Sequence, residues 1–183
     1  MDTAPNLVLV GPMGAGKSSI GRRLADRYGL AFVDADREIE ARTGAPVSTI
    51  FDCEGEAGFR ERERGVLADL LDADAAVIAT GGGAVLDAGT RRLLRERGFV
   101  VHLHVSVDQQ LHRLARDTTR PLIAGDDREA VLLKLARERE PLYADVADLR
   151  FDTGTSGAAE AANRLHERLQ RHWHRPASIG LAP

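Results

Sequence analysis

The fold of this 183-residue chain is decided by residues 7 to 18, which read LVLVGPMGAGKS. Four apolar residues typical of a buried strand lead directly into the pattern G-x-x-x-x-G-K-[ST]. Glycines there let the backbone turn its N–H groups towards a chain of phosphates. Lys17 adds a positive charge for the outer phosphates, and the Ser18 hydroxyl is suited to hold Mg²⁺. We therefore predict that the chain binds a nucleoside triphosphate. The predicted binding residues in this segment are Gly11, Met13, Gly14, Ala15, Gly16, Lys17, Ser18 and Ser19.

Composition favours one globular domain. The chain is 43% apolar and 29% charged, with a net charge of −3, so nothing draws it to nucleic acid or to an anionic membrane. No apolar run approaches the roughly 20 residues that span a bilayer. Cys53 is the only cysteine, and no export signal is visible at the N-terminus. We expect a cytoplasmic monomer without nucleic-acid or membrane partners.

Strand and helix patterns alternate along the chain, which favours a parallel sheet with helices on both faces. Strands are predicted at 7–10, 30–34, 75–79, 99–105 and 149–152. Helices are predicted at 17–28, 36–43 (capped by Asp36), 48–72 (hinged near Gly55), 87–96, 107–116, 127–139 (stopped by Pro141) and 158–173. Residues 1–173 form one predicted domain, with a mobile lid at about 117–126, and 174–183 form a flexible tail. Ligands of such a sheet bind at the carboxyl ends of its strands.

Two carboxylates lie at the carboxyl end of the second predicted strand. Side chains alternate along a strand, so Asp34 and Asp36 should point to the same side, next to the phosphate loop. One reading is local: Asp36 caps the next helix and Asp34 only ends the strand. The functional reading gives one carboxylate to the Mg²⁺ shell and makes the other the acceptor of a proton from an attacking hydroxyl.

Charged residues interrupt two apolar helix faces. Glu63 lies on the face that also carries Phe59 and Leu67, with Arg60 one turn before it. Because a buried charge is costly unless paired, this is either a structural ion pair or an arginine held by Glu63 to bind an anion. Arg139 interrupts the helix from Asp127 in the same way. Two such arginines indicate a shared acidic ligand.

Glycines and a second cationic segment complete the pattern. Gly81, Gly82 and Gly83 follow a buried strand, where they allow a ligand to approach the backbone closely. Arg120 lies in the irregular stretch 117–126, as expected for a lid that brings charge to a transferring phosphate. The alternative for Arg120 is an incidental surface residue. Arg113 by itself is typical of a solvated helix charge.

Taken together, these segments resemble the shikimate kinases, a small P-loop family related to the nucleoside-monophosphate kinases. The resemblance covers residues 7 to about 169. Its motifs are GPMGAGKSSIGRRLA, FVDADREIE, FDCEGEAGFRERE, GGG, TTRPLI and REREPLY. It implies a three-layer α/β/α P-loop NTPase fold with a central five-stranded parallel sheet and a lid.

The resemblance also implies an activity and roles for residues. Members transfer the γ-phosphate of ATP, with Mg²⁺, to the 3-hydroxyl of shikimate in the route to chorismate. It implies that Lys17 and Ser18 serve the phosphates and the metal, and that Asp34 supports the metal. It also implies that Asp36 contacts the shikimate hydroxyls and is the base. It further implies that shikimate is bound by Arg60, Arg139, Gly81, Gly82 and Gly83, with Arg60 oriented by Glu63. On the nucleotide side, it implies that Arg120 contacts the phosphates and that Arg113 contacts adenine.

Two alternatives stay open from the sequence. A related small-molecule kinase, for example one acting on gluconate, would also need to recognise a carboxylate and hydroxyls. A nucleotide-binding module without turnover is the other alternative, although Lys17, Ser18, Asp36 and Arg120 are all present.

Overall fold

The computed structural model describes residues 4–73, 75–115 and 127–174. Five parallel strands form one sheet in the order β2-β3-β1-β4-β5. The strands are β1 (Asn6–Val10), β2 (Ala31–Asp34), β3 (Ala76–Ala79), β4 (Gly98–His104) and β5 (Leu149–Asp152). The helices are α1 (Lys17–Tyr28), α2 (Ala35–Thr43), α3 (Val47–Asp72), α4 (Ala88–Arg97), α5 (Val107–Leu114), α6 (Arg128–Val146) and α7 (Ala158–His172). A short 3-10 helix covers Ala84–Leu86. The predicted five-stranded parallel sheet with helices on both faces is confirmed.

Alternation along the central strand β1 divides the apolar interior into two cores. Leu7 and Leu9 pack on the side of α1 and α7, with Leu24 and Leu165. Val8 and Val10 pack on the opposite side, with residues of α3, α4 and α6. All of the β1 residues are buried, as a strand covered on both faces requires.

The strand register brings the carboxyl ends of three strands together. Leu9 of β1 pairs with Ala79 of β3, which in turn pairs with Asp34 of β2. The loops that follow these strands therefore open at one edge of the sheet. Those loops are the phosphate loop, the start of α2 and the glycine run after β3.

The end of α6 differs most from the prediction. The helix predicted to stop before Pro141 continues through it to Val146, so Arg139 is not at a helix end. A proline inside a helix removes one hydrogen bond, but burial of Leu132, Tyr143 and Val146 along this helix offsets that loss. Proline disfavours a helix locally, but the packing of the residues after Pro141 continues α6 beyond it.

The cap of α2 was also assigned to the wrong aspartate. Asp34 is the N-cap, and its carboxylate accepts a hydrogen bond from the Arg37 N–H at 3.4 Å. Asp36 already lies in the first helical turn, so strand alternation does not relate the two side chains. They nevertheless line the same cavity. The predicted break at Gly55 is present, since this residue has φ of 71° inside α3.

The lid predicted at 117–126 and most of the predicted tail at 174–183 lie outside the described residues. Within the parts of the chain that the structure describes, no helix is both long enough and apolar enough to cross a membrane.

Candidate active site

A cavity of about 420 Å³ opens at the carboxyl ends of β1, β2 and β3. Its walls come from the phosphate loop, from the start of α2, from the glycine run and from α6. The lining residues are Met13, Gly14, Gly16, Lys17, Ser18, Ser19, Asp34, Asp36, Thr80, Gly81, Gly82 and Arg139. Residues chosen from separate motifs of the sequence therefore meet in one place.

The phosphate loop has the predicted conformation. Gly11, Gly14 and Gly16 have φ of 144°, 77° and 89°, values that side chains other than glycine rarely adopt. Gly16 precedes the first residue of α1, so the positive end of that helix faces the loop. The Lys17 ammonium donates to the carbonyls of Gly11 and Pro12 at 2.8 and 2.9 Å. This arrangement places N–H groups and one positive charge where a phosphate chain can bind.

Ser18 and Asp34 form a pair of oxygen donors beside that loop. The Ser18 hydroxyl donates to Asp34 Oδ2 at 2.8 Å. Hydroxyl and carboxylate oxygens are the ligands that Mg²⁺ prefers, either directly or through water. The two side chains fit a magnesium ion bound next to the outer phosphates.

Asp36 and Glu63 approach each other around Gly81. A methyl group on Gly81 would lie 2.7 Å from Asp36 Oδ1 and 2.9 Å from Glu63 Oε1, so the site has no room for a side chain there. Burial raises the pKa of Asp36, Asp34 raises it further, and Lys17 and Arg60 oppose that rise. A carboxylate with a raised pKa is a better proton acceptor.

Arg60 is held from several sides. Its guanidinium donates to Glu63 Oε2 at 2.5 Å and lies 5.2 Å from the centre of the Phe59 ring. Glu63 is fully buried, and burial raises its pKa while Arg60 opposes that rise. Arg60 Nη2 lies directly against Gly83, where a methyl group would overlap it. The predicted Arg60–Glu63 ion pair is therefore present, with its carboxylate buried, and anion binding by Arg60 stays a prediction.

Three buried polar atoms near the cavity lack a hydrogen-bond partner. Within the described part of the chain, these include two donors, Arg60 Nε and Arg139 Nε, and one acceptor, Glu63 Oε1. Buried donors are usually satisfied, so the two guanidinium N–H groups are available to an acidic group of a ligand. Arg139 itself lines the cavity, next to Gly82.

Arg113 is not on the cavity wall. Its guanidinium donates to the Gly14 carbonyl at 2.9 Å, to Thr153 Oγ1 at 3.1 Å and to the Gly154 carbonyl. It therefore ties the phosphate loop to the loop after β5. The expected contact between Arg113 and adenine stays a prediction, as does the role of Arg120, which lies outside the described residues.

Two residues near the site were missed by the sequence reasoning. Gln110 donates from its side-chain amide to the Met13 carbonyl at 2.8 Å and so supports the phosphate loop from α5. Tyr143 donates from its hydroxyl to the Gly82 carbonyl at 2.5 Å. The sequence carries a signal for Tyr143, because it follows Arg139 by four residues and shares its helix face once α6 is known to continue through Pro141.

Comparisons with known proteins agree in pointing to one family. A family model described as shikimate kinase matches residues 13–170. Shikimate kinases from Stenotrophomonas maltophilia strain K279a and Xanthomonas campestris pv. campestris strain 8004 are both 54% identical to this chain, over 96% and 94% of it and 97% and 96% of their own lengths. The structure of an Acinetobacter baumannii shikimate kinase in complex with shikimate is similar with a TM-score of 0.87 and 45% identity, covering 92% of this chain and 94% of that one.

Proposed function

Because this chain belongs to the shikimate kinase family, we propose how its residues divide the transfer of the γ-phosphate of ATP to the 3-hydroxyl of shikimate. The products of the reaction are ADP and shikimate 3-phosphate. The phosphate loop with Lys17 binds the donor. Arg60, Arg139 and the glycine run bind the acceptor, and Asp36 lines the same cavity as Lys17 and Arg139.

One observation carries this assignment: Arg60 and Arg139 each have a buried, unpartnered Nε, and Arg139 shares a cavity with Asp36, whose pKa is raised by burial. An acceptor that combines a carboxylate with hydroxyls matches both features. Its carboxylate binds between Arg60 and Arg139, and its hydroxyl approaches Asp36. Glu63 orients Arg60 through their 2.5 Å contact, and Gly83 leaves the room that this orientation requires.

The chemical step is an in-line displacement. As the acceptor oxygen forms a bond to the γ-phosphorus, the bond from that phosphorus to the β–γ bridging oxygen breaks, and Asp36 accepts the hydroxyl proton. Lys17 stabilises charge on the transferring group. We also propose that Arg120 and the segment 117–126 contribute charge and exclude water, and that Arg113 contacts the adenine ring.

We further propose that Mg²⁺ is held by Ser18 and, through water, by Asp34, since these oxygens lie 2.8 Å apart beside the phosphate loop. When bound, the ion neutralises part of the charge on the β- and γ-phosphates. The contribution of the protein is to orient both oxygen ligands: Asp34 is held at the start of α2 by its hydrogen bond to Arg37 N–H.

The decisive assay follows ADP release by purified protein with ATP and Mg²⁺. Shikimate, gluconate and nucleoside monophosphates are offered in turn. We expect turnover on shikimate alone. Turnover on gluconate instead would favour the related-kinase alternative, and binding of ATP without turnover on any acceptor would favour a non-catalytic module.

We propose that the protein acts as a monomer in the cytoplasm. Leu133 is the one large apolar residue that is more than a third exposed in the described ranges, which leaves little apolar surface for a stable dimer. Cys53 is exposed as a free thiol, in keeping with a reducing compartment. Sedimentation at micromolar protein concentration would test the monomer, and cell fractionation would test the location.

A further inference from the structure

Tyr143 lies behind the acceptor side of the cavity. It follows Arg139 by one helical turn on α6 and is 1% exposed. Its ring packs in the apolar core on the α3–α4–α6 side of the sheet, while its hydroxyl reaches the glycine run after β3. The residue therefore joins the core to the floor of the cavity.

The Tyr143 hydroxyl bridges two parts of the acceptor site. It donates to the Gly82 carbonyl at 2.5 Å, and the same glycine lies against Arg139, whose Nη1 would be 3.7 Å from a methyl group placed on Gly82. The positive charge of Arg139 also opposes the rise in the pKa of Tyr143. Burial raises the pKa of Tyr143 to about 12, so the hydroxyl keeps its proton throughout any practical assay range.

The position of the ring is set from behind by His102. This histidine of β4 is fully buried and stacks on the Tyr143 ring with centroids 5.0 Å apart and an angle of 29° between the planes. Burial lowers the pKa of His102 to about 4, so at neutral pH it packs as an uncharged ring. Tyr143 is thus held by packing, and its hydroxyl has little freedom to leave the Gly82 carbonyl.

We propose that Tyr143 is a positioning residue for the acceptor, which fixes the Arg139 guanidinium relative to the Gly82 backbone. This inference rests on the proposed role of Arg139 in binding the shikimate carboxylate. Without the hydroxyl, the helix α6 still presents Arg139 towards the cavity, but the Gly82 backbone beside its guanidinium is no longer held by Tyr143. The glycine run is the same backbone that leaves room for Arg60 at Gly83. Tyr143 therefore sets the spacing between the two proposed halves of the carboxylate clamp.

The test is Tyr143→Phe, which keeps the ring and its stack on His102 and removes only the hydroxyl. We expect the KM for shikimate to rise by up to about tenfold, the upper end of the usual effect of one lost hydrogen bond. The KM for ATP should stay unchanged and kcat should change much less than the KM for shikimate. This pattern means that the variant binds shikimate more weakly in both the ground state and the transition state, so that turnover of bound shikimate is preserved.

Tyr28→Phe is a matched control, because Tyr28 is the only other tyrosine of the chain and its hydroxyl lies 2.8 Å from His166 Nδ1, on the α1–α7 side of the sheet. Both variants should melt somewhat lower than the wild type, but only Tyr143→Phe should change the KM for shikimate. A second measurement repeats Tyr143→Phe in an Arg139→Lys background, where we expect a much smaller effect because the two side chains act together.

An unchanged KM for shikimate in Tyr143→Phe would overturn the positioning role, as would equal increases in the KM for both substrates or full additivity with Arg139→Lys. A wild type that does not phosphorylate shikimate would instead refute the proposed function, and this inference with it.

Discussion

Arg60→Ala separates the structural from the functional use of one buried ion pair. The Arg60 side chain is 14% exposed and that of Glu63 is 0% exposed, with 2.5 Å between the paired atoms. Truncating the arginine leaves a carboxylate in the interior without its cation. Removing one partner of a buried pair typically destabilises a protein by about 3–5 kcal/mol. For a chain of this size, each kcal/mol lowers Tm by roughly 2–4 °C, so we expect a decrease of about 6–20 °C.

The loss of stability should depend on pH in a defined direction. Burial already raises the pKa of Glu63, and Arg60 is the main group that opposes this rise. In the variant the folded-state pKa is therefore higher still, above its value in the unfolded chain. A raised pKa stabilises the fold at low pH, and that stabilisation is lost as the pH rises through the folded-state value. The difference in Tm between wild type and variant should thus be smallest in acid and largest near neutrality.

Binding should be affected on the acceptor side alone. Truncating one partner of a buried, hydrogen-bonded charge pair costs about 2–5 kcal/mol, so affinity for shikimate should fall by at least about thirtyfold. Titration calorimetry with shikimate and, separately, with ATP measures both affinities below the melting temperature. ATP affinity should persist, because the phosphate loop lies on the other side of the cavity. Intact shikimate affinity would refute the clamp.

Arg62→Ala is the matched control on the same helix. Arg62 is exposed and forms its two contacts, at 2.6 and 2.7 Å, with the carboxylate of Glu54 at the surface. We expect almost no change in Tm or in either affinity, since exposed pairs contribute little. The double variant Arg60→Met, Glu63→Leu should recover much of the lost stability without recovering shikimate binding. Equal destabilisation by Arg60→Ala and Arg62→Ala would contradict the reasoning from burial.

Three further predictions concern single groups of the site. Asp36→Asn should lower kcat by about 10²–10⁴-fold. It should also raise Tm at neutral pH, because burial and Asp34 raise the pKa of this carboxyl and the charged form therefore costs stability. An unchanged rate of ADP release would show that Asp36 takes no part in the chemistry. Gly83→Ala should raise the KM for shikimate by roughly ten- to a hundredfold, because the added methyl group displaces the Arg60 guanidinium, whereas a normal KM would show that the guanidinium can shift freely. Ser18→Ala should require more Mg²⁺ for half-maximal turnover, as measured by metal titration at fixed ATP, and an unaltered requirement would exclude this hydroxyl as a ligand.

Much of the fold was predictable because its signals are local. The phosphate loop, the alternation of strands with helices, and the glycines that end α1 and α2 depend on short stretches of sequence. The same holds for the Arg60–Glu63 pair, since two residues three apart on a helix must be neighbours.

The errors arose where distant packing overrides a local preference. Pro141 is a helix stop in isolation, but the burial of Tyr143 and Val146 carries α6 past it. With the helix predicted to end at Arg139, Tyr143 could not be placed on the same helix face. Its partner Gly82 is also 61 residues away in the chain, so the sequence gives no local signal for their contact. Arg113 similarly appears as a solvated charge in sequence, because its partners Gly14 and Gly154 are brought to it only by the folded sheet.

The division of the interior by the sheet has a consequence for how specificity can change during evolution. The helix that follows the phosphate loop packs in one core through Leu24. The helices that carry Arg60 and Arg139 pack in the other core, through Leu67 and Tyr143 respectively. Substitutions that repack the second core around Leu67 can reshape the pocket for the acceptor while the core that holds α1 is undisturbed. Such a chain could acquire a new acceptor while the helix that follows its phosphate loop stays in place.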